Sequence, residues 1–291
     1  MTPQLEFSKW QGIGNDYVIV AVNDLAFEMT PARAAAICNR HFGVGSDGIL
    51  LWSGTEASGF SLEIYNPDGS TAEMCGNGIR MLASYLVGRG IARETTLSVT
   101  TGAGIIAPTV REDGQVRVKM GSALLGGRGI IGYESMSKEN PQSEAVGLNL
   151  TVAEYTFEFT YVDMGNPHCV IETTDLNSVE LDKVGPMIEN HQMFPNRTNV
   201  EFMKIAGPSE VSMRVWERGV GETNACGTGA CAVAVAAFRT RGVTSPVTVH
   251  LLGGDLVIEV DDCLNVVMTG TAKEVYSGSF SEDFINRLKE L

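Results

Sequence analysis

Two cysteines in the sequence are followed by nearly the same residues. Cys75 precedes Gly-Asn-Gly and an apolar stretch, and Cys226 precedes Gly-Thr-Gly and a longer one. Because a helix that is apolar on every side is buried, each cysteine is predicted to stand at the N-terminus of a buried helix. Unpaired N–H groups and the positive end of the helix dipole lie there, so we expect a lowered thiol pKa at Cys226.

The two cysteine motifs belong to an internal repeat with an offset of 151 residues, the separation of Cys75 and Cys226. The dipeptide Gly14-Asn15 recurs at the same offset as Gly165-Asn166. Strand-like stretches also coincide at this offset: residues 17–20 with 168–171, and residues 62–65 with 213–216. The repeat predicts a pseudo-two-fold molecule whose two thiols face each other across a cleft.

Two equivalent acid–base groups on opposite faces of one carbon suit the inversion of a stereocentre. One thiolate removes the Cα proton and the opposite thiol delivers another, with no formal need for a cofactor or a metal. Since the Cα–H of an amino acid is a weak acid, the site must stabilise the charge that spreads into the carboxylate. Two helix N-termini would do so. The N–H groups predicted for this task are those of Gly76, Asn77, Gly227 and Thr228.

Composition excludes several classes of function. With 291 residues the chain has material for two domains, and a net charge of −14 argues against nucleic acid and anionic membranes as partners. No stretch resembles a signal peptide or is long enough to span a bilayer, which predicts a cytoplasmic protein with reduced thiols. Scattered histidines and the lack of Cys-x-x-Cys pairs argue against a metal site. The remaining cysteines are predicted to be core residues: Cys38, Cys169, Cys231 and Cys263.

Periodicity and turn residues predict an α+β fold of two pseudo-symmetric domains. Each domain is a mainly antiparallel β-sheet wrapped around a central buried helix, with the active site in the cleft between them. The first covers residues 1–122 and the second residues 123–278, connected within residues 121–150. A final helix within residues 279–291, capped by Ser281, is expected to pack back on the first domain. Strands are predicted at residues 5–9, 17–22, 49–53, 61–65, 156–163, 168–172, 199–205 and 211–217, and helices at residues 31–39, 76–87, 184–190 and 227–238.

An ordered series of motifs along nearly the whole chain resembles the diaminopimelate epimerase family, of the same cofactor-independent two-cysteine class as proline racemase. The motifs are Gly14-Asn15-Asp16, Gly43-Val-Gly-Ser-Asp47, Asn66-x-Asp-Gly69, Met74-Cys-Gly-Asn-Gly78, Gly165-Asn-Pro-His168, Asn199-Val-Glu201 and the stretch from Glu217 to Gly229. Asn77 and Ala225 stand where the proline racemase branch typically has His and Pro, which favours the diaminopimelate branch. Many family members carry Gln where this chain has Gly48, so no substrate contact is carried over there.

The resemblance implies an isomerase that interconverts LL- and meso-2,6-diaminopimelate in the biosynthesis of lysine and peptidoglycan precursors. It implies a homodimer without pyridoxal phosphate, with Cys75 and Cys226 as the acid–base pair and with His168 and Glu217 tuning the thiols. A carboxylate and a forked guanidinium match the second ammonium and carboxylate of this substrate. The implied substrate-binding residues are Asn15, Asn66, Asn166, Asn199, Glu217 and Arg218.

Alternatives remain open for both the function and the residues. The same mechanism suits a racemase of another amino acid such as histidine, and a cysteine hydrolase or a non-catalytic amino-acid-binding relative would not need two working thiols. Glu217 and Arg218 could form only an ion pair with each other, and His168 could be a structural histidine. Three asparagines could serve only as turn residues: Asn15, Asn66 and Asn166.

Overall fold

The computed structural model describes residues 5–127, 129–131 and 144–291. By contacts between residues, the chain divides into two compact units. The first consists of Met1–Lys119 together with Gly270–Leu291, and the second is the continuous segment Met120–Thr269. The first unit is therefore built from both ends of the chain.

Strands account for more of the described chain than helices do. They are β1 (Glu6–Gly12), β2 (Asn15–Ala21), β3 (Ile49–Thr55), β4 (Gly59–Tyr65), β5 (Thr71–Ala72), β6 (Val99–Thr101), β7 (Gly104–Ile106), β8 (Thr109–Val110), β9 (Val116–Ser122), β10 (Leu148–Val152), β11 (Tyr155–Asp163), β12 (Pro167–Glu172), β13 (Asn199–Gly207), β14 (Glu210–Glu217), β15 (Gly221–Thr223), β16 (Val247–Leu251), β17 (Gly254–Val260), β18 (Asn265–Gly270) and β19 (Lys273–Ser279). The helices are α1 (Pro31–Cys38), α2 (Gly76–Gly88), α3 (Leu181–Glu189), α4 (Gly227–Arg241) and α5 (Glu282–Lys289), with short 3-10 turns at Val22–Asp24 and Leu176–Ser178.

The sheet of the first unit has the strand order β19-β1-β2-β3-β4-β6-β7, with β5 paired to β4. The pairs β2–β3 and β4–β6 are parallel, and the other pairs are antiparallel. Strands β1 and β2 form a hairpin that turns at Ile13 and Gly14, both at positive φ. Helix α2 contacts β1, β2 and β19, so the first cysteine helix packs against its own sheet.

The second unit repeats this topology. Its strands from β10 to β18 follow the order β10-β11-β12-β13-β14-β16-β17-β18, with β15 paired to β14, and the parallel pairs among them are β12–β13 and β14–β16. Strand β10 beside β11 takes the place that β19 has beside β1. Helix α4 contacts six strands of this sheet, and its residues 230–237 have no solvent exposure. The predicted α+β fold with two pseudo-symmetric halves, each around a buried helix, is confirmed.

The C-terminal segment belongs to the first unit. Strand β19 pairs antiparallel with β1, so residues 270–278 lie in this unit and not in the second half, where they were predicted to lie. Helix α5 begins after Ser281, whose Oγ accepts a hydrogen bond from the N–H of Phe284 at 3.2 Å. Leu288 on this helix is buried in the core of the first unit, and Arg33 Nε donates to its carbonyl at 2.7 Å.

Two further expectations differ from the structure. The predicted connection at residues 121–150 overlaps β10, which starts at Leu148 and pairs with β11, while residues 128 and 132–143 lie outside the described part. Cys38, Cys169 and Cys231 are buried as predicted, but Cys263 is exposed. It occupies the turn between β17 and β18, where its N–H donates to Asp261 Oδ1 at 3.0 Å. A position in a polar turn does not face the core.

The described helices include none that combines the length and the apolar character needed to cross a bilayer.

Candidate active site

Cys75 is the N-cap of α2. Its backbone is extended, with φ −138° and ψ 116°, and its Sγ accepts a hydrogen bond from the N–H of Gly78 at 3.3 Å. A Cβ on Gly78 would lie 2.9 Å from Leu50 Cδ2 and 3.6 Å from the sulfur. Glycine at this position therefore lets both the thiol and the leucine side chain approach the first turn. Cys75 itself is half-buried.

Cys226 caps α4 in the same way, with φ −126° and ψ 110° and a hydrogen bond from Gly229 N–H to Sγ at 3.4 Å. A Cβ on Gly229 would lie 3.2 Å from the sulfur and 2.8 Å from Glu201 Oε1. Glu201 therefore occupies, beside α4, the place that Leu50 occupies beside α2. Cys226 is buried, with 5% of its surface exposed.

The electrostatic surroundings of Cys226 overturn the expectation of a lowered pKa. Burial raises the pKa of this thiol well above its ordinary value, and the carboxylates of Glu217 and Glu201 raise it further. Hydrogen bonds from Gly229 N–H and from Thr228 act in the opposite direction, but they are smaller effects. The helix N-terminus is thus outweighed by desolvation and by two nearby negative groups. Cys226 therefore favours the protonated thiol more strongly than an ordinary cysteine does.

Glu217 is the last residue of β14 and lies close to the Cys226 thiol. Burial raises the pKa of its carboxyl, and hydrogen bonds from Thr223 and Cys226 partly offset that rise. Thr223 lies on β15, which pairs antiparallel with β14 and so brings its hydroxyl to Glu217 Oε1. The short hairpin before Cys226 therefore positions both the carboxylate and the sulfur.

His168 connects Glu201 to the N-terminus of α4. Its Nδ1 lies 2.7 Å from Glu201 Oε1, its Nε2 lies 3.0 Å from Asn166 Oδ1, and neither His168 nor Glu201 is exposed to solvent. Asn166 Nδ2 donates to Thr228 Oγ1 at 3.3 Å, and that oxygen is 3.7 Å from Cys226 Sγ. A continuous polar chain thus leads from the buried carboxylate to the sulfur. Within it His168 contacts Glu201 and Asn166 rather than the thiol.

Asn199 holds the turn that presents Arg218. Its Oδ1 accepts from Arg218 N–H at 2.9 Å, and its Nδ2 donates to the carbonyl of Pro167 at 2.9 Å. The guanidinium of Arg218 donates through Nη1 to the carbonyl of Asn196 at 3.1 Å. Among the described residues, Glu217 and Arg218 do not form the ion pair with each other that the sequence left open.

The first unit arranges its asparagines around the N-terminus of α2. Asn77 Nδ2 donates to Asn15 Oδ1 at 3.1 Å, and Asn15 Nδ2 donates to Asp47 Oδ2 at 2.8 Å. Asn77 and Gly76 are buried in the first turn of the helix. The turn at Gly14 thus brings Asn15 to Asn77, as the turn at Gly165 brings Asn166 to Thr228.

Asn66 stands apart from this group in its hydrogen bonds. Its Nδ2 donates to Ser70 Oγ at 2.9 Å, and its backbone N–H and C=O bond to Ser70 and Gly69 within the same turn. These contacts match the alternative interpretation of Asn66 as a turn residue, which does not conflict with a role in binding.

In each unit the structure brings most of the predicted site residues to the N-terminus of the cysteine helix. In the first unit they are Asn15, Cys75, Gly76 and Asn77, and in the second Asn166, His168, Glu217, Cys226, Gly227 and Thr228. Asn199 and Arg218 lie at the adjoining strand ends. No group of three or more His, Cys, Asp or Glu side chains suited to a metal ion occurs in the described part of the chain.

Sequence reasoning missed two contributors, Glu201 and Arg80. Glu201 lies two residues after Asn199 on β13, and alternate residues of a strand share one face, so their spacing is a signal that was available. Arg80 is a charged residue within an apolar helix, and it is fully buried. Its Nη2 donates to Asn77 Oδ1 at 2.8 Å. A charge in such a position needs polar partners, which is the signal for a site.

Known proteins resemble the chain at two levels of similarity. A diaminopimelate epimerase from Pelotomaculum thermopropionicum is 44% identical over 285 residues, which covers 95% of this chain and 99% of that protein. A diaminopimelate epimerase from a Synechococcus species is 45% identical over 289 residues, with coverage of 96% and 99%. Both similarities extend over nearly the full length of each protein.

Solved structures with low sequence identity share the fold. A PhzF-family phenazine biosynthesis protein from Bacillus anthracis has a TM-score of 0.66 at 16% identity, covering 96% of this chain and 99% of that one. A probable proline racemase from Agrobacterium radiobacter has a TM-score of 0.68 at 13% identity, with coverage of 96% and 93%. At these identities the likeness concerns the fold alone.

The family profile described as diaminopimelate epimerase matches residues 7–125 and 160–275, which include both cysteine motifs. The resemblance inferred from the motifs is thereby confirmed, and the chain belongs to the diaminopimelate epimerase family.

Proposed function

We propose that this protein epimerises LL-2,6-diaminopimelate to meso-diaminopimelate and back, with Cys75 and Cys226 as its two acid–base groups. The observation that carries the proposal is the pair of matching N-cap cysteines, one in each half of a chain that belongs to this family. One thiolate removes the Cα proton, and the opposite thiol returns a proton to the other face. The product has the inverted configuration, and the enzyme's two thiols exchange protonation states.

Burial and the carboxylates around Cys226 give the two cysteines different resting roles in this proposal. Since burial and two carboxylates keep Cys226 protonated, it is the proton donor of the resting enzyme. Cys75, which is half-buried and capped in the same manner, is the base for that direction. The reverse direction needs Cys226 as a thiolate, so it depends on the enzyme first releasing that proton.

The helix N-termini supply stabilisation for the carbanion. The N–H groups of Gly76 and Asn77, and of Gly227 and Thr228, belong to first helical turns and have no partner within the helix. Directed at the substrate carboxylate, they oppose the negative charge that develops there as the proton leaves. In this proposal the chain's own backbone dipoles stabilise the carbanion.

The remaining predicted contacts are assigned to substrate recognition. Glu217 and Arg218 are proposed to hold the distal ammonium and carboxylate, and Asn199 supports them through its bond to Arg218 N–H. Asn15, Asn66 and Asn166 are proposed as further amide contacts. A cytoplasmic location, a homodimer and a role in lysine and peptidoglycan precursor synthesis accompany the proposal as expectations from the family.

The direct test follows exchange and inversion at Cα in D2O. LL-diaminopimelate, histidine, glutamate and proline are incubated separately with the protein under reducing conditions. The stereoisomers are separated by chiral chromatography, and their deuterium content is measured by mass spectrometry. We expect deuterium gain with inversion for diaminopimelate alone. Inversion of a different amino acid would show that diaminopimelate is not the substrate. The lack of exchange with every compound would contradict the proposed epimerase activity.

A matched cysteine variant makes this test specific. Cys263→Ala removes an exposed turn thiol and is expected to retain the full rate of inversion. A loss in that variant equal to the loss in Cys226→Ala would contradict the assignment of the reaction to the two capping cysteines.

A further inference from the structure

A row of hydrogen bonds in the first unit runs from Arg80 through Asn77 and Asn15 to Asp47. The successive distances are 2.8 Å from Arg80 Nη2 to Asn77 Oδ1, 3.1 Å from Asn77 Nδ2 to Asn15 Oδ1, and 2.8 Å from Asn15 Nδ2 to Asp47 Oδ2. Arg80 has no solvent exposure and Asn77 has 3%. The row therefore begins inside the protein and ends at the partly exposed Asp47.

The two ends of the row set its direction. A guanidinium only donates hydrogen bonds and a carboxylate only accepts them, whereas an amide has one end of each kind. Arg80 therefore selects Oδ1 of Asn77, which directs Nδ2 to Asn15, and Asp47 selects Nδ2 of Asn15, which directs Oδ1 to Asn77. Turning over either amide would place donor against donor or acceptor against acceptor. Both ends thus favour the same orientation of both amides.

Each end is itself held in place. Arg80 Nη1 donates to the carbonyl of Gly76 at 3.2 Å, and Nε donates to the carbonyl of Thr271 at 3.4 Å. A Cβ on Gly12 would lie 3.3 Å from Arg80 Nη2, so the glycine at the end of β1 leaves room for the guanidinium. The row therefore starts from an anchored donor.

Asp47 is fixed from the other side. Arg40 Nη2 donates to its Oδ1 at 2.7 Å, and the backbone N–H of Asp16 donates to its Oδ2 at 3.0 Å. These bonds keep Oδ2 directed at Asn15, which lies next to Asp16 in the chain. The row therefore also ends on an anchored acceptor.

We propose that Arg80 and Asp47 are positioning residues that fix the side-chain amides of Asn77 and Asn15 for a carboxylate of the substrate. Each amide uses one N–H in the row and keeps a second N–H, so the fixed orientation supplies donors, which a carboxylate accepts. The inference rests on the proposed function, which gives Asn15 an amide contact with the substrate and Asn77 a backbone N–H contact, and it adds the side-chain amide of Asn77. Neither Arg80 nor Asp47 is assigned a contact with it.

The second unit fixes its corresponding asparagine by other means. At the offset of the repeat, Arg80 corresponds to Cys231, a buried thiol on α4. Asn166, the counterpart of Asn15, is instead oriented by His168 Nε2. Replacing Arg80 therefore affects only the first of two separately built arrangements.

The test is a double-mutant cycle on kcat and KM for diaminopimelate. Arg80→Met and Asn77→Ala are made separately and together. We expect Arg80→Met to raise KM about tenfold, the equivalent of one lost charge-assisted hydrogen bond, with a smaller change in kcat. In the Asn77→Ala background the same replacement should change KM less than about threefold, because Arg80 acts through Asn77. If the fold-changes in KM of the two single variants multiply in the double variant, the proposal is overturned.

Asp47→Asn with Asn15→Ala forms a second cycle that does not disturb a fully buried side chain. It keeps the proposal testable if Arg80→Met does not fold, and the same non-additivity is expected. Arg93→Met, which changes an exposed arginine, serves as the control and should leave KM unchanged. If the parent protein fails to epimerise diaminopimelate, the proposed function fails; if it is active and both cycles are additive, only the positioning role fails.

Discussion

The two cysteine sites have the same backbone geometry and differ in the charge of a neighbouring side chain. Each sulfur caps a helix and accepts a hydrogen bond from a glycine N–H three residues later, at 3.3 Å for Cys75 and 3.4 Å for Cys226. Beside that glycine stands Leu50 in the first half and Glu201 in the second. The duplicated frame thus keeps the thiols in equivalent positions while the neighbouring side chains give them different surroundings. The two sites thus share their backbone geometry but not the charge of the side chain beside the glycine.

Removing each thiol in turn tests most directly whether both cysteine sites take part in the reaction. Cys75→Ala and Cys226→Ala should each lower the rate of inversion by about 10²–10⁴-fold, because each loses one of the two proposed acid–base groups. The measurement is the initial rate of stereochemical inversion from LL- and from meso-diaminopimelate. If either variant inverts the substrate at the rate of the parent protein, the two halves do not share the reaction.

Removing the carboxylates of the second half should make its site more like the first. Glu217→Gln and Glu201→Gln should each lower the pKa of Cys226, since both carboxylates raise it. At pH 8, alkylation of Cys226 by iodoacetamide should then accelerate by about tenfold for each pKa unit lost. Peptide mass spectrometry reads the rate at this cysteine.

Glu210→Gln supplies the matched control, because it changes an exposed glutamate at the start of β14. It should leave the alkylation of Cys226 unchanged. Equal acceleration in all three variants would mean that overall charge, rather than the two carboxylates near the thiol, controls its reactivity.

High pH should reduce stability through the buried thiols of the second unit. Burial raises the pKa of Cys169, and burial with two carboxylates raises that of Cys226. In the unfolded chain a thiol ionises near its ordinary pKa of about 8.5, while the folded state keeps the proton. The free energy of unfolding should therefore fall by up to about 1.4 kcal/mol per pH unit per thiol above that value.

Urea denaturation between pH 7.5 and 10 measures this slope. Cys169→Ala should be less stable at neutral pH but should show a shallower decline as the pH rises. Val170→Ala, a neighbouring buried truncation, should lower stability at every pH with the parent slope. Parallel curves for all three proteins would exclude Cys169 as a source of the pH dependence.

Where the two halves are alike, they should respond alike. Gly90 follows α2 and Gly242 follows α4, with φ of 67° and 63°, and an added Cβ on either would meet no atom within 4 Å. Replacing either with alanine should cost about 1–2 kcal/mol of unfolding free energy, because only the left-handed backbone is penalised. Thermal and urea unfolding provide the measurement. Gly88→Ala, inside α2 and equally open, should be neutral or stabilising.

Local sequence patterns predicted the helices and strands of the two halves well. They failed for the pKa of a thiol whose surroundings come from distant strands. The Cys-Gly-x-Gly motifs placed both helix starts, and the repeat placed the strands that precede them. The thiol pKa at Cys226 was predicted in the wrong direction because the fold buries this thiol and brings Glu217 and Glu201 to it from β14 and β13. A helix N-terminus can be recognised from adjacent residues, but desolvation and neighbouring charges depend on the folded sheet.

The position of β19 has a consequence for how the chain acquires its structure. The second unit is one continuous segment, whereas β1 receives its outer neighbour only from residues beyond Gly270. During synthesis from the N-terminus, the second unit can therefore complete its sheet while β1 still presents an open edge. Until β19 emerges from the ribosome, the open edge of β1 can pair with a wrong strand. Chaperone binding is most useful at that edge.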